Sequence, residues 1–313
     1  MVKQDVPSER RVAIVSGAGT GLGRAYALRL AADGLRIVVN NRKREVDGQG
    51  RGSADRVVEE IAAAGGEALA NYEDVCSDGA GERMVRQALD AWGRLDVLVN
   101  NAGVSQHAPF HRIDLAAFRT IFDINFLGTL QITHAAWAPM RAAGHGRVLV
   151  STSSAGLHGL HGLSAYAAAK GALISLTRTL AAEGASKDVF CNAIAPYAAT
   201  RMTGATVPEA ERIAMSPEHV APLVAALVSR HSQVNGQVIV VGRGWARRAT
   251  SVELSGLVDV GADAPVDASA QLNGPLLNVP GVCREYRDAL DAFEHFSACA
   301  RDTCEQPPAR GSL

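Results

Sequence analysis

Arg11-Val-Ala-Ile-Val-Ser16 runs straight into Gly17-Ala-Gly19-Thr20-Gly21-Leu22-Gly23, and from there into an Ala- and Leu-rich stretch that ends at Asp33. The apolar run before the glycines has the pattern of a strand buried on both faces. The Ala/Leu stretch after them predicts a helix over Gly21–Asp33. A glycine-rich turn between strand and helix lets the backbone approach a phosphate closely. The helix start adds unpaired N–H groups and the positive end of the helix dipole. A nucleotide pyrophosphate is therefore the expected occupant of Gly17–Gly23.

The same alternation continues outward from this unit. Strands are expected at Arg36–Asn40, Ala68–Tyr72, Leu95–Asn100, Arg147–Ser151, Val189–Ala195 and Gln237–Val241. Helices are expected at Ala54–Ala64, after the third strand up to Trp92, at Asp114–Ala143, at Ser164–Glu183, and from the Ser216-Pro217-Glu218 cap to about Ser229. Near-continuous apolar strands separated by helices imply a parallel sheet covered on both faces. The expected fold is α/β, a Rossmann-type doubly wound parallel sheet of about seven strands. After Gly244 the periodicity fades until a helical stretch at Arg284–Ala300. The reading is a single domain over 1–313, with a core at about 10–245 and a C-terminal extension at 246–313 that is too poor in core residues to fold alone.

Composition narrows the function. The 313 residues are 47% hydrophobic and carry a formal net charge of −1, with both signs spread along the chain. That balance argues against a nucleic-acid or membrane-surface binder. The polar N-terminus carries acids, unlike a secretory signal. Five scattered cysteines read as reduced thiols, and the expected location is cytoplasmic. His158 and His161 share a Gly-rich loop but lack a third ligand nearby in sequence, so no metal is expected.

The chemistry is carried by Tyr166-Ala-Ala-Ala-Lys170. Tyr and Lys at i and i+4 of a helix share a face. A neighbouring ammonium favours the phenolate and makes the pair a general acid/base. The coenzyme type is read at the end of the second strand, Asn40-Asn41-Arg42-Lys43-Arg44. A carboxylate there would accept a hydrogen bond from a ribose 2′-OH, whereas cations suit a 2′-phosphate. No acid stands there and three cations follow, so NADP is expected with Asn41 and Arg42 nearest the phosphate. NAD remains possible, and a solvated basic loop is the bland alternative.

The spacing Gly-x-x-x-Gly-x-Gly, with Asn101-Ala102-Gly103 and Tyr166-x-x-x-Lys170 behind it, resembles the short-chain dehydrogenase/reductase family. The resemblance implies a catalytic tetrad of Asn125, Ser153, Tyr166 and Lys170. Ser153 would hold a substrate carbonyl against Tyr166, the proton donor, while Lys170 lowers the phenol pKa and touches the nicotinamide ribose. Asn125 would kink its helix and hold a water. The resemblance also implies an adenine edge at Asp74 and Val75, a site floor at Asn101, Ala102 and Gly103, and carboxamide contacts at Pro196 and Thr200.

Val57-Val-Glu-Glu-Ile61, Ala70-Asn-Tyr72, His134-Ala-Ala-Trp137 and Gly242-Arg-Gly-Trp245 resemble one branch of the family, the (3R)-hydroxyacyl-CoA dehydrogenase region of multifunctional enzyme type 2. That branch normally has an acid at position 41 and lacks Asn at 125, so the chain departs from it at both. Together these features predict hydride transfer between NADP(H) and a keto/hydroxy group, with a β-keto/β-hydroxyacyl thioester of CoA or a carrier protein as substrate. A biosynthetic ketoreductase of a polyketide, steroid or other small ketone is the alternative. A non-enzymatic nucleotide-sensing scaffold would be expected to have lost Tyr166 or Lys170. A homodimer or homotetramer is implied, paired through the long helices.

Overall fold

The computed structural model describes residues 10–42, 46–48, 50–199, 208–254, 283–286 and 289–305. The chain divides into two compact units at Ala249/Thr250. In the first, seven parallel strands are β1 (Val12–Val15), β2 (Arg36–Asn40), β3 (Ala68–Asn71), β4 (Val97–Asn100), β5 (Gly146–Ser151), β6 (Val189–Tyr197) and β7 (Val238–Gly242). An antiparallel β8 (Trp245–Ala249) completes an eight-stranded sheet of order β3-β2-β1-β4-β5-β6-β7-β8. The order reverses between β1 and β4, which pair in parallel through Ala13/Val97, Ile14/Leu98 and Val15/Val99. Ligands of doubly wound sheets bind beyond the carboxyl ends of the strands at such a reversal. The glycine loop after β1 and the Asn101–Gly103 loop after β4 both stand there.

Every residue of β1 and β4 is buried. This follows from helices covering both faces. On one side α1 (Gly21–Ala32), α2 (Ser53–Ala63) and α9 (Ala221–Leu227) pack against Val15, Val39, Val99 and Ile194. On the other, α3 (Ala80–Trp92), α5 (Gly128–Ala143) and α7 (Ser164–Gly184) pack against Ile14, Leu98, Val150 and Cys191. Each fully buried Val, Leu or Ile contributes about 1.5–3 kcal/mol of transfer free energy. Such contributions oppose the entropy of ordering the chain. Gly81 lets α3 and α5 meet closely, because a Cβ there would lie 2.5 Å from the Gln131 carbonyl oxygen.

Three differences from the sequence reading have physical causes. The eighth strand lies where the periodicity fades. Arg243 and Gly244 both take positive φ (53° and 78°) and close a two-residue hairpin between Gly242 and Trp245. The helix expected over Asp114–Ala143 is split into α4 (Leu115–Phe122) and α5 by a π-helical turn at Asp123–Leu127, centred on Asn125. A short α6 (Ser154–His158), capped by Ser153, sits in what read as a loop. A further short helix, α8 (Glu209–Ala214), precedes a 3-10 turn at Pro217–His219. In the second unit β9 (Glu253–Leu254) pairs antiparallel with β10 (Cys283–Arg284), and α10 (Ala289–Glu305) follows. Thr200, Lys43, Arg44 and most of the extension after Leu254 lie outside the described residues.

Candidate active site

The glycines of the first turn are fixed by close packing and backbone form. Gly17 has φ +63°, and a Cβ on it would lie 2.8 Å from the Ala102 Cα. A Cβ on Gly23 would lie 2.3 Å from the Gly17 carbonyl oxygen. Gly19 is pressed against α2, where a Cβ would fall 2.2 Å from Ser53 Oγ and 2.8 Å from Asn41 Cγ. The buried Ser16 hydroxyl accepts from the Asn101 and Ala102 amides at 3.0 and 3.2 Å. The Asn101 side-chain amide returns bonds to the Ser16 and Gly17 carbonyls. These bonds hold the β1 and β4 loops as one floor. Thr20 caps α1 in extended form without a side-chain hydrogen bond, and no acid occupies the first helical turn. The N–H groups of that turn are thus available to an anion. This cradle fits a dinucleotide pyrophosphate.

At the far end of the floor, Asn41 Nδ2 donates to Ser53 Oγ at 2.7 Å. The Arg42 guanidinium donates to Asp74 at 2.8 Å. Val75 is buried beneath Gly128, and its carbonyl accepts from the Gln131 amide.

At the other end stand Tyr166 and Lys170, on the first turns of α7. Lys170 is 4% exposed, and its Nζ donates to the Ser151 carbonyl at 2.7 Å and lies 5.6 Å from the Tyr166 ring centroid. Burial without a carboxylate partner pushes its pKa down to about 8. The Ser153 side chain stands beside the Tyr166 hydroxyl. Burial raises the phenol pKa and the neighbouring Ser153 opposes the rise. The i, i+4 spacing predicts an ammonium that depresses the phenol. In the folded chain burial outweighs it, with Lys170 held by a carbonyl rather than by the phenol oxygen.

Asn125 is fully buried in the π turn. Its Nδ2 donates to the Val104 and Ile121 carbonyls, both at 2.8 Å, while its Oδ1 has no hydrogen-bond partner. A Cβ on Gly103 would lie 2.5 Å from that Oδ1 and 3.5 Å from Lys170 Nζ, so both atoms crowd one point.

A cavity of about 730 Å³ joins the two ends. Its lining includes Gly17, Thr20, Gly21, Leu22, Asn41, Arg42, Val75, Asn101, Ala102, Gly103, Tyr166, Lys170 and Pro196. Among the described residues, no group of three His, Cys, Asp or Glu is placed to hold a metal ion.

The profile of the short chain dehydrogenase family matches residues 11–211. The chain belongs to this family. Among relatives of the short chain dehydrogenase, the mouse peroxisomal multifunctional enzyme type 2 is 44% identical over 237 residues, 75% of this chain and 32% of that protein. The chain thus spans about a third of the mouse protein's length. A 3-oxoacyl-[acyl-carrier-protein] reductase of Synechocystis is 40% identical over 194 residues, 62% of this chain and 76% of that protein. The crystal structure of a short chain dehydrogenase from Mycobacterium avium superposes with a TM-score of 0.75 at 38% identity, covering 85% of this chain and 93% of that one. The family's coenzyme is NAD(P).

The structure of this short chain dehydrogenase brings most of the sequence-derived residues to one cavity. Gly19 and Gly23 do not line it but pack beneath the loop. Asp74 is reached through Arg42, and Ser153 through Tyr166. Sequence reasoning missed Asn40, Ser53, Arg56, Val104, Ile124 and Thr152, which also line the cavity. Ser53 and Arg56 had a signal, since they open the helix that follows the basic loop. The carbonyl of Ser151 had none, because a backbone acceptor is invisible in residue identity.

Proposed function

We propose that this chain is an NADP(H)-dependent oxidoreductase that interconverts the keto and hydroxy groups of a β-keto/β-hydroxyacyl thioester. The observation that carries the reading is one cavity uniting the glycine cradle with Tyr166, beside Ser153, and with buried Lys170. The bound nicotinamide would supply the hydride for reduction or receive it in oxidation. Ser153 donates to the substrate oxygen and fixes it beside Tyr166. Tyr166 gives its proton to that oxygen in reduction and takes one back in oxidation. Lys170, titrating near pH 8, passes a proton or bears charge beside the phenol as the phenolate develops. Asn125 holds the end of this path with its free Oδ1. NADP rather than NAD is supported by Asn41, an amide where an acid would repel a 2′-phosphate, and by the cations beside it. The thioester is supported by the substrate named for the Synechocystis relative. The exposed residues of α7 are small over most of its length, at Ala168, Ser175, Thr179 and Ala182, before Glu183 near its end, which supports close helix pairing in a homodimer or homotetramer.

The test is NADPH oxidation followed by absorbance with a panel of β-ketoacyl thioesters and small ketones. Turnover of thioesters is expected, with Tyr166→Phe losing at least ~100-fold, the low end of general acid/base contributions. Turnover of small ketones alone would move the assignment to the biosynthetic ketoreductase. A Tyr166→Phe enzyme that keeps most of its rate would remove Tyr166 from the chemistry.

A further inference from the structure

Among the described residues around the adenosine end of the cavity, the charges are nearly all neutralised within the protein. From Arg24 to the end of α2, five of the described arginines meet a carboxylate. Arg24 pairs with Glu60, Arg29 with Asp33 and Arg36 with Glu67. Arg42 pairs with Asp74 at 2.8 Å, and Arg51 with Asp47 and Glu59, each at 2.9 Å. Among the described residues of this stretch, Arg56 alone has no carboxylate partner, and it is exposed and lines the cavity. It stands one turn into α2, on the helix whose first residue, Ser53, accepts from Asn41. Accepting that bond leaves the Ser53 hydroxyl proton to be donated elsewhere. Asp55, the acid of the same turn, is committed to the Gly52 amide at 2.6 Å and to the Tyr72 hydroxyl.

A phosphate group is a dianion that a guanidinium grips with two parallel N–H donors. Arg42 already spends one donor on Asp74, whose carboxylate offsets its charge and repels the incoming phosphate. Arg56 gives up nothing. We propose that Arg56, seconded by the Ser53 hydroxyl, is the principal ligand of the coenzyme 2′-phosphate and sets the preference for NADP, while Arg42 serves mainly to neutralise Asp74. This rests on the proposed NADP dependence. The specificity residue therefore sits on α2, fifteen positions beyond Asn41, and not in the basic run that follows β2.

The test is the dissociation constant of NADPH and of NADH, read by fluorescence titration without substrate. Wild type is compared with Arg56→Ala, Arg42→Ala and a Lys43→Ala/Arg44→Ala double variant, with 2′,5′-ADP and 5′-AMP as competitors. Arg56 is exposed, so the folded state of its variant is checked simply by an unchanged thermal midpoint without nucleotide. Arg56→Ala is expected to weaken NADPH and 2′,5′-ADP roughly tenfold or more, the scale of a hydrogen bond to a charged group, and to change NADH and 5′-AMP less than about twofold. Arg42→Ala is expected to have the smaller effect on NADPH. If wild type prefers NADPH and Arg56→Ala keeps that preference, or if only the Lys43/Arg44 variant loses it, the assignment to Arg56 is overturned and NADP dependence stands. If wild type binds NADH as well as or better than NADPH, NADP dependence itself fails, and the role of Arg56 with it.

Discussion

Lys170 shows how one side chain can work against stability in the service of a site. Its ammonium is buried with a single carbonyl acceptor and no carboxylate, and its pKa falls to about 8 from an ordinary value near 10.4. A lowered folded-state pKa means that the folded chain releases its proton before the unfolded chain does. Between pH ~8 and ~10.4 the unfolded state binds more protons at this position, so stability rises with pH across that window. Below pH ~8 the cost of the buried charge is present in full. Lys170→Met keeps the length and removes the charge. It is expected to stabilise the protein at pH 7 and to lose that advantage progressively by pH 10, while turnover collapses. Urea unfolding of both proteins at several pH values measures this, and an advantage of Met that grows with pH would show the sign to be wrong. The same substitution separates roles, since a merely structural lysine would leave the pH profile of alcohol oxidation unmoved.

At the scale of elements, the site depends on how α6 lies against α7. A Cβ added at Gly156 would fall 2.7 Å from the Lys170 carbonyl carbon and 2.8 Å from the Gly171 nitrogen. Both are backbone atoms inside a long helix and cannot swing aside. Two effects compete in Gly156→Ala. Helix propensity favours Ala by about 1 kcal/mol. Overpacking opposes it by about 1–3 kcal/mol, and α6 carries the Ser153 cap while α7 carries Lys170, so the strain reaches the chemistry. The expected result is a lower thermal midpoint with a loss of turnover; a raised midpoint would mean that propensity wins and the contact yields. This contact also marks the limit of what sequence discloses. The strand-glycine-helix opening, Tyr166/Lys170 and the alternation of strands were legible because each has a local pattern. The π turn at Asn125 was legible only as a kink implied by the family resemblance. The Gly156 contact and the Ser151 carbonyl were not, since each depends on a partner distant in sequence. The lowered pKa of Lys170 belongs to the same class, because desolvation is a property of the whole packed neighbourhood.

For the whole molecule the question is where the catalytic unit ends. Sequence periodicity places the core's end near Trp245, whereas the compact unit closes at Ala249. The difference is β8, whose five residues pair with β7 from Gly242/Trp245 to Val238/Ala249. Without β8, strand β7 becomes the sheet edge, and its backbone N–H and C=O groups lose their partners beside buried Val238, Val240 and Val241. As the edge, β8 is better suited, with exposed Arg247 and Arg248 along it. Two truncations distinguish the boundaries. A chain ending at Ala249 is expected to fold cooperatively and to bind NADPH with an affinity within about threefold of the full chain, because it keeps the cradle, Tyr166 and Lys170 together. A chain ending at Gly244 is expected to unfold at a distinctly lower temperature and to aggregate through the freed β7 edge. Thermal unfolding, light scattering and NADPH titration of both chains decide the matter. Equal stability of the two would show that β8 is dispensable, and loss of NADPH binding at Ala249 would show that the second unit takes part in the site.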